Sequence, residues 1–145
     1  MKNITVKYLS AVHTALYRVT GGIIGRRLVR NDMCLLTTTG RRTGKRHTVP
    51  LLYLRDGASV VVIASYGGRR HHPQWYQNLV AEPAAELQIL DKRLQVTART
   101  ADPAERAQWW PRIVTAYSDY AVYQSRTDRE IPIVFLTPGN ATPTA

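Results

Sequence analysis

A single cysteine, Cys34, leaves this chain of 145 residues without an internal disulfide, and no Cys-x-x-Cys pair offers a zinc site. That scarcity points to a reducing, intracellular compartment. Long apolar runs are missing too. The best strand core, Val60–Ala64, is five residues long, far short of the roughly 18 that a membrane span needs. Lys7, His13 and Arg18 interrupt the N-terminal apolar positions, which argues against a cleaved signal peptide. The chain has no internal repeat, no Gly-x-Ser-x-Gly elbow, no helical histidine pair and no acidic cluster. Adjacent His71 and His72 are badly spaced to share one ion, and Cys34 stands among apolar strand residues. Metal chemistry and nucleophilic hydrolysis therefore have little support. What remains is ordinary: 44% hydrophobic and 21% charged residues exclude a coiled coil, a collagen and a disordered chain. The length suits one domain with its own core.

Acidic residues are nearly absent from the first part of the chain. Residues 1–55 hold eleven basic residues against one acid, Asp32, whereas residues 56–145 hold nine of each. The whole formal charge of +10 thus belongs to the front of the molecule, and sixteen of the twenty basic residues are Arg. Such asymmetry calls for an anionic partner: nucleic acid, a lipid surface, or a phosphorylated or polycarboxylate small molecule. The planar Arg fork suits phosphate and carboxylate. No helix-turn-helix signal, zinc ligand set or RNA-binding aromatic motif accompanies the charge, so no specific nucleic-acid contact is expected. A basic module that binds nucleic acid without sequence preference is the reading that charge alone would suggest.

Leu9, Val12, Leu16 and Val19 recur at helical spacing, which predicts an amphipathic helix over residues 4–19, ended by Gly21-Gly22. With Lys2, Lys7, Arg18, Arg26, Arg27 and Arg30, residues 1–30 suit either an anionic membrane surface or packing on the domain or a second subunit. Strands are predicted at Met33–Thr39, Thr48–Arg55, Ser59–Tyr66, Glu86–Leu90, Leu94–Thr100 and Ile133–Leu136. Arg55-Asp56-Gly57 and Asp91-Lys92 read as hairpin turns. Pro73–Val80 reads as a short helix. Asp102, Pro103 and Glu105 form a capping-box start for a second helix that runs toward Tyr117 and bends or restarts at Pro111. The pattern describes an α+β domain on an antiparallel barrel, with residues 31–138 as its body and Gly139–Ala145 as a frayed tail.

Three clusters could carry chemistry. Gly40-Arg-Arg-Thr-Gly-Lys-Arg-His47 packs two glycines, four cations and a hydroxyl between two strands. It fails as a Walker loop, because only three residues separate its glycines and Arg46 follows Lys45 where Ser or Thr is required. It remains an anion loop or a solvated basic turn. Ala64-Ser-Tyr-Gly-Gly68, followed by His72-Pro-Gln-Trp-Tyr-Gln-Asn-Leu79, offers close backbone approach to a flat ligand, although Trp75 alone would suit a core equally. Tyr117, Tyr120 and Tyr123 are spaced by three, which predicts one face of phenols, either an aromatic pocket or a core stripe.

In order, these clusters resemble the deazaflavin (coenzyme F(420))-dependent nitroreductases, actinobacterial split β-barrel reductases. The matching stretches are Leu36-Thr-Thr-Thr-Gly-Arg-Arg-Thr-Gly44, Pro50-Leu-Leu-Tyr-Leu-Arg-Asp-Gly57, Ala64–Gly68, His72–Leu79 and Tyr123-Gln-Ser-Arg-Thr-Asp-Arg-Glu-Ile-Pro132, within residues 17–138. The resemblance implies an FMN-binding-like split barrel with flanking helices. It implies that Arg41, Arg42, Thr43, Arg46 and His47 hold the coenzyme's phosphate and oligoglutamate tail. Ala64, Ser65, Gly67 and Gly68 would border its ring, Trp75 and Asn78 would complete the wall, and Pro50 would also contact the cofactor. Tyr117, Tyr120 and Tyr123 would form the acceptor pocket, with Ser65 and Tyr120 as catalytic hydroxyls. His47 stands where relatives commonly carry Arg, so the tail contact is expected to weaken, shift to Arg46 or depend on pH. The implied activity is hydride transfer from reduced F(420), in preference to FMN, to a quinone or nitro-aromatic compound. A non-catalytic F(420) or flavin carrier is the alternative. A cytoplasmic enzyme, peripheral on the inner face of the plasma membrane and homodimeric, would fit this reading.

Overall fold

In the computed structural model, which describes residues 33–139, the first expected strand is present as β1, Met33–Thr39. Its residues alternate: Cys34 and Leu36 enter one apolar cluster, Met33 and Leu35 another. β1 pairs antiparallel with β2 (Arg46–Leu52), from Met33 opposite Leu52 to Thr39 opposite Arg46. β2 therefore starts two residues before the expected Thr48, because the threonines of β1 offer ladder partners to Arg46 and His47. Thr37 and Thr48 reinforce the pairing through a 2.7 Å hydroxyl contact.

The expected strand Thr48–Arg55 is in fact two, broken at Tyr53. β3 (Leu54–Asp56) leaves β1 and pairs with β4 (Ser59–Ile63). Asp56 faces Ser59, so the hairpin turn is Gly57-Ala58 rather than Arg55-Asp56-Gly57. Then follow α1 (Gln74–Ala81), β5 (Ala84–Ile89), β6 (Lys92–Thr100), α2 (Pro103–Ala116), α3 (Asp119–Ser125) and β7 (Ile133–Pro138). The β5–β6 turn falls at Leu90-Asp91, since Ile89 pairs with Lys92. The strands order as β2-β1-β5-β6-β7-β4-β3, every pairing antiparallel. β2 and β3 are one stretch of chain at opposite edges, so the sheet must curl until those edges approach. The result is the expected α+β architecture, a split β-barrel with flanking helices.

Leu36, Val60, Val62, Leu87, Val96 and Leu136 fill the barrel. The outer residues of β4 and β7, including Ile63 and Phe135, are covered by Trp109 and Ile113 of α2 and Tyr120 of α3. Both faces of β4 are thus buried, which is why its sequence is a continuous apolar run. α2 opens on the expected capping box, with Glu105 N donating to Asp102 Oδ1 at 2.8 Å and Asp102 N donating to Glu105 Oε1 at 3.1 Å. It remains one helix through Pro111. The helix expected over residues 4–19 and the rest of segment 1–30 lie outside the described residues. Of the tail, Gly139 is still tied to β6, its N–H donating to the Gln95 carbonyl at 2.8 Å.

Candidate active site

β2, the β4–α1 connection and the α2–α3 junction enclose a solvent-open cleft of about 950 Å³. The size suits a small-molecule or cofactor site. Val49, Pro50, Leu51, Leu52 and Ile63 supply apolar walls, and Trp75 stands at the start of α1. Ser65, Tyr66 and Gly67 border the cleft where β4 ends, and Tyr117, Tyr120 and Tyr123 line the facing side.

The three phenols come from a helix end and the following helix: Tyr117 caps α2, and Tyr120 and Tyr123 belong to α3. Their rings meet edge to face, with centroids 6.0 Å apart for Tyr117–Tyr120 and 5.9 Å for Tyr120–Tyr123. The alternatives of pocket and core turn out to be compatible. Tyr120 is 7% exposed and packs on Ile63 and Phe135, yet it also lines the cleft. Burial, with Tyr117 and Tyr123 beside it, pushes its phenol above the ordinary value.

The basic loop adjoins this cleft. Gly40 N donates to the Lys45 carbonyl at 2.7 Å and Gly44 N to the Gly40 carbonyl at 2.8 Å, closing a tight turn between β1 and β2. A Cβ at Gly40 would lie 2.9 Å from both His47 Nε2 and Thr43 Oγ1, so a larger residue there would displace those side chains. Arg41 fastens the loop to α1: its Nη1 donates to Gln74 Oε1 at 2.8 Å and to Asn78 Oδ1 at 3.0 Å. Asn78, buried, also receives Arg41 N at 3.2 Å and donates to Thr38 Oγ1 at 3.2 Å. Its side chain therefore braces loop, helix and β1, and it lies outside the lining of the cleft. Arg46 reaches Glu86 at 3.4 Å. Arg42, Thr43, Lys45 and His47 are exposed.

Of the expected site residues, Pro50, Ser65, Gly67, Trp75 and the three tyrosines line the cleft. The cationic loop stands at its edge, and Ala64 and Gly68 flank it in sequence. Arg129 had no role assigned from the sequence, yet its guanidinium reaches the carbonyls of Ala64, Ser65 and Arg69 at 3.1, 2.6 and 2.8 Å. No sequence pattern flags a guanidinium that bonds to carbonyls some sixty residues away. Cys34 is fully buried and burial pushes its thiol up to about 12, so it is no nucleophile. Among the described residues no group of three metal-ligating side chains occurs, and no helix is long and apolar enough to cross a membrane.

Residues 9–138 match the family model described as F(420)H(2)-dependent quinone reductase. The F(420)H(2)-dependent quinone reductase of Mycobacterium tuberculosis strain H37Rv is 41% identical over 133 residues, spanning 89% of each chain. A solved F(420)-H2 dependent reductase, FDR-A, superposes with a TM-score of 0.66 at 42% identity, over 72% of this chain and 93% of that one. A second structure, described as a domain-swapped dimer, gives a TM-score of 0.68 at 35% identity, over 93% of this chain and 95% of that one.

Proposed function

This chain belongs to the F(420)H(2)-dependent quinone reductase family, an oxidoreductase family using coenzyme F(420), and from that premise we propose that its cleft brings reduced F(420) and a quinone or nitro-aromatic acceptor together for hydride transfer. One observation carries the reading. Arg41 bonds to Gln74, a residue of the cleft wall, so the cationic loop stands at the edge of an apolar cavity. A ligand with a flat ring and a long anionic tail fits that combination, and the donor set matches it. Val49, Pro50, Leu51 and Trp75 offer flat apolar contact, while Arg42, Lys45 and His47 present exposed cationic or hydrogen-bonding heads.

Reduced deazaflavin, when bound, supplies the hydride. The chain's own contribution is to hold, orient and shield. Ser65 and Tyr120 place hydroxyls on the cleft, and Tyr120, protonated at neutral pH as any phenol is, donates a hydrogen bond to an acceptor oxygen that gains charge. The net proton arrives from water, to which the cleft is open. Tyr117 and Tyr123 bound the acceptor's space on either side of Tyr120.

Titration with F(420) and with FMN at fixed salt tests the cofactor. F(420) should bind more tightly, and equal or better FMN binding would overturn the reading. Absence of single-turnover oxidation with a panel of quinones and nitro compounds would favour a non-catalytic carrier instead. The basic segment 1–30 further supports peripheral association with anionic lipid, tested by vesicle flotation with and without those residues. A homodimer, in line with the domain-swapped relative, is tested by light scattering.

A further inference from the structure

Tyr66, Gly67 and Gly68, which follow Ser65, all take positive φ, at 49°, 63° and 80°. For a bulky residue such as Tyr66 that is a strained conformation, which persists only where the surroundings enforce it. The turn's internal hydrogen bonds are few, Gly68 N to the Ser65 carbonyl at 2.9 Å and Arg69 N to the Tyr66 carbonyl at 3.2 Å.

Two arginine side chains contact it. Arg126 Nη1 donates to the Gly67 carbonyl at 3.4 Å, within the turn, whereas Arg129 bonds to both of its ends. Arg129 Nη2 donates to the Ser65 carbonyl at 2.6 Å and Nη1 to the Ala64 carbonyl at 3.1 Å, just before the turn. Its Nε donates to the Arg69 carbonyl at 2.8 Å, just after it. Nη1 also lies 3.0 Å from His72 Nδ1. Among the described residues no carboxylate forms an ion pair with Arg129, so its charge faces carbonyl dipoles instead. Only a planar fork with donors on two edges can hold both ends of the turn. A lysine, a single ammonium point, cannot.

The same residue is anchored to the opposite wall. Gln124, in the helix that carries Tyr120 and Tyr123, donates from Nε2 to the Arg129 carbonyl at 2.8 Å and accepts from Ile131 N at 3.0 Å. The turn also abuts that helix directly, since a Cβ at Gly68 would collide with the Tyr123 carbonyl oxygen.

We propose that Arg129 is a positioning residue that fixes the strained turn Ser65–Gly68 against the tyrosine helix and so sets the distance between the two walls of the cleft. Its catalytic consequence rests on the reading of the cleft given above, but its structural core can be tested without any cofactor. Hydrogen exchange of the free protein is measured for the wild type, Arg129→Lys and Arg129→Ala. In Arg129→Lys the segment 64–72 should exchange about tenfold faster or more, with β1, β5 and β6 unchanged. With reduced F(420) and a quinone, kcat should fall about tenfold or more, because small misplacements are costly, while KM for the cofactor changes little. Millimolar guanidinium should restore part of the activity of Arg129→Ala, which a general loss of packing would not allow. Unchanged exchange at 64–72, or exchange rising throughout the chain together with a fall in Tm, would overturn the proposal. If wild-type protein fails to oxidise reduced F(420), the functional reading falls, and the exchange result still decides the role of Arg129.

Discussion

The Tyr117 hydroxyl donates to the Tyr53 carbonyl at 3.0 Å, joining the end of α2 to the residue at which one chain stretch leaves β2 and becomes β3. The bond fastens a cleft tyrosine to the point where the barrel closes. Tyr117→Phe should therefore cost about 1 kcal/mol of stability, read from urea unfolding. A neutral result would mean that the β2–β3 break is held by other contacts.

Tyr120→Phe should behave in the opposite way. Among the described residues no hydrogen bond is made by its hydroxyl, and its edge-to-face contacts survive the change. Stability should move by less than about 0.5 kcal/mol. Single-turnover oxidation of reduced F(420) should slow by roughly 10²-fold, as for the loss of one donor to a developing oxyanion. Unchanged oxidation across several quinones and nitro compounds would remove Tyr120 from the site.

Adjacent arginines should differ as well. Arg42 is exposed, whereas Arg41 is committed to Gln74 and Asn78. Arg42→Ala should weaken F(420) binding tenfold or more, given about 1.5–3 kcal/mol for a charged hydrogen bond, and leave Tm unchanged. Arg41→Ala should lower affinity and Tm together, because the loop loses its tie to α1. Equal behaviour of the two variants would show that the Arg41 bonds do not persist in solution.

His72 gives the stability of the fold a pH dependence with a defined sign. Its Nδ1 faces Arg129 Nη1, which can only donate, so the folded form requires a neutral imidazole. Burial, and then the Arg129 charge, lower its pKa below the ordinary value. The unfolded chain thus takes up a proton before the folded one. Stability should fall as pH drops below about 6.5 and level off below the folded pKa. His72→Gln should flatten that part of the Tm–pH profile, and an unchanged profile would exclude this histidine as its source.

Local chemistry was legible in the sequence wherever neighbouring residues decide it. The capping box of Asp102 and Glu105, the apolar run Val60–Ile63 and the glycine-bracketed basic loop act within a few residues, so their order along the chain specifies them. The ordered motifs likewise carried the family resemblance. Tertiary structure alone decided the rest. Thr48–Arg55 reads as one strand, because no local preference reveals that its two ends must pair at opposite edges of a closing sheet. Asn78, expected in the cleft wall, became a brace when Thr38 and Arg41 claimed its amide. Arg129 lies in a matching stretch but had no role assigned from the sequence, yet it grips carbonyls beside the cleft. Hydrogen bonds between groups far apart in sequence depend on where the folded backbone places each carbonyl, and that position is a property of the whole barrel.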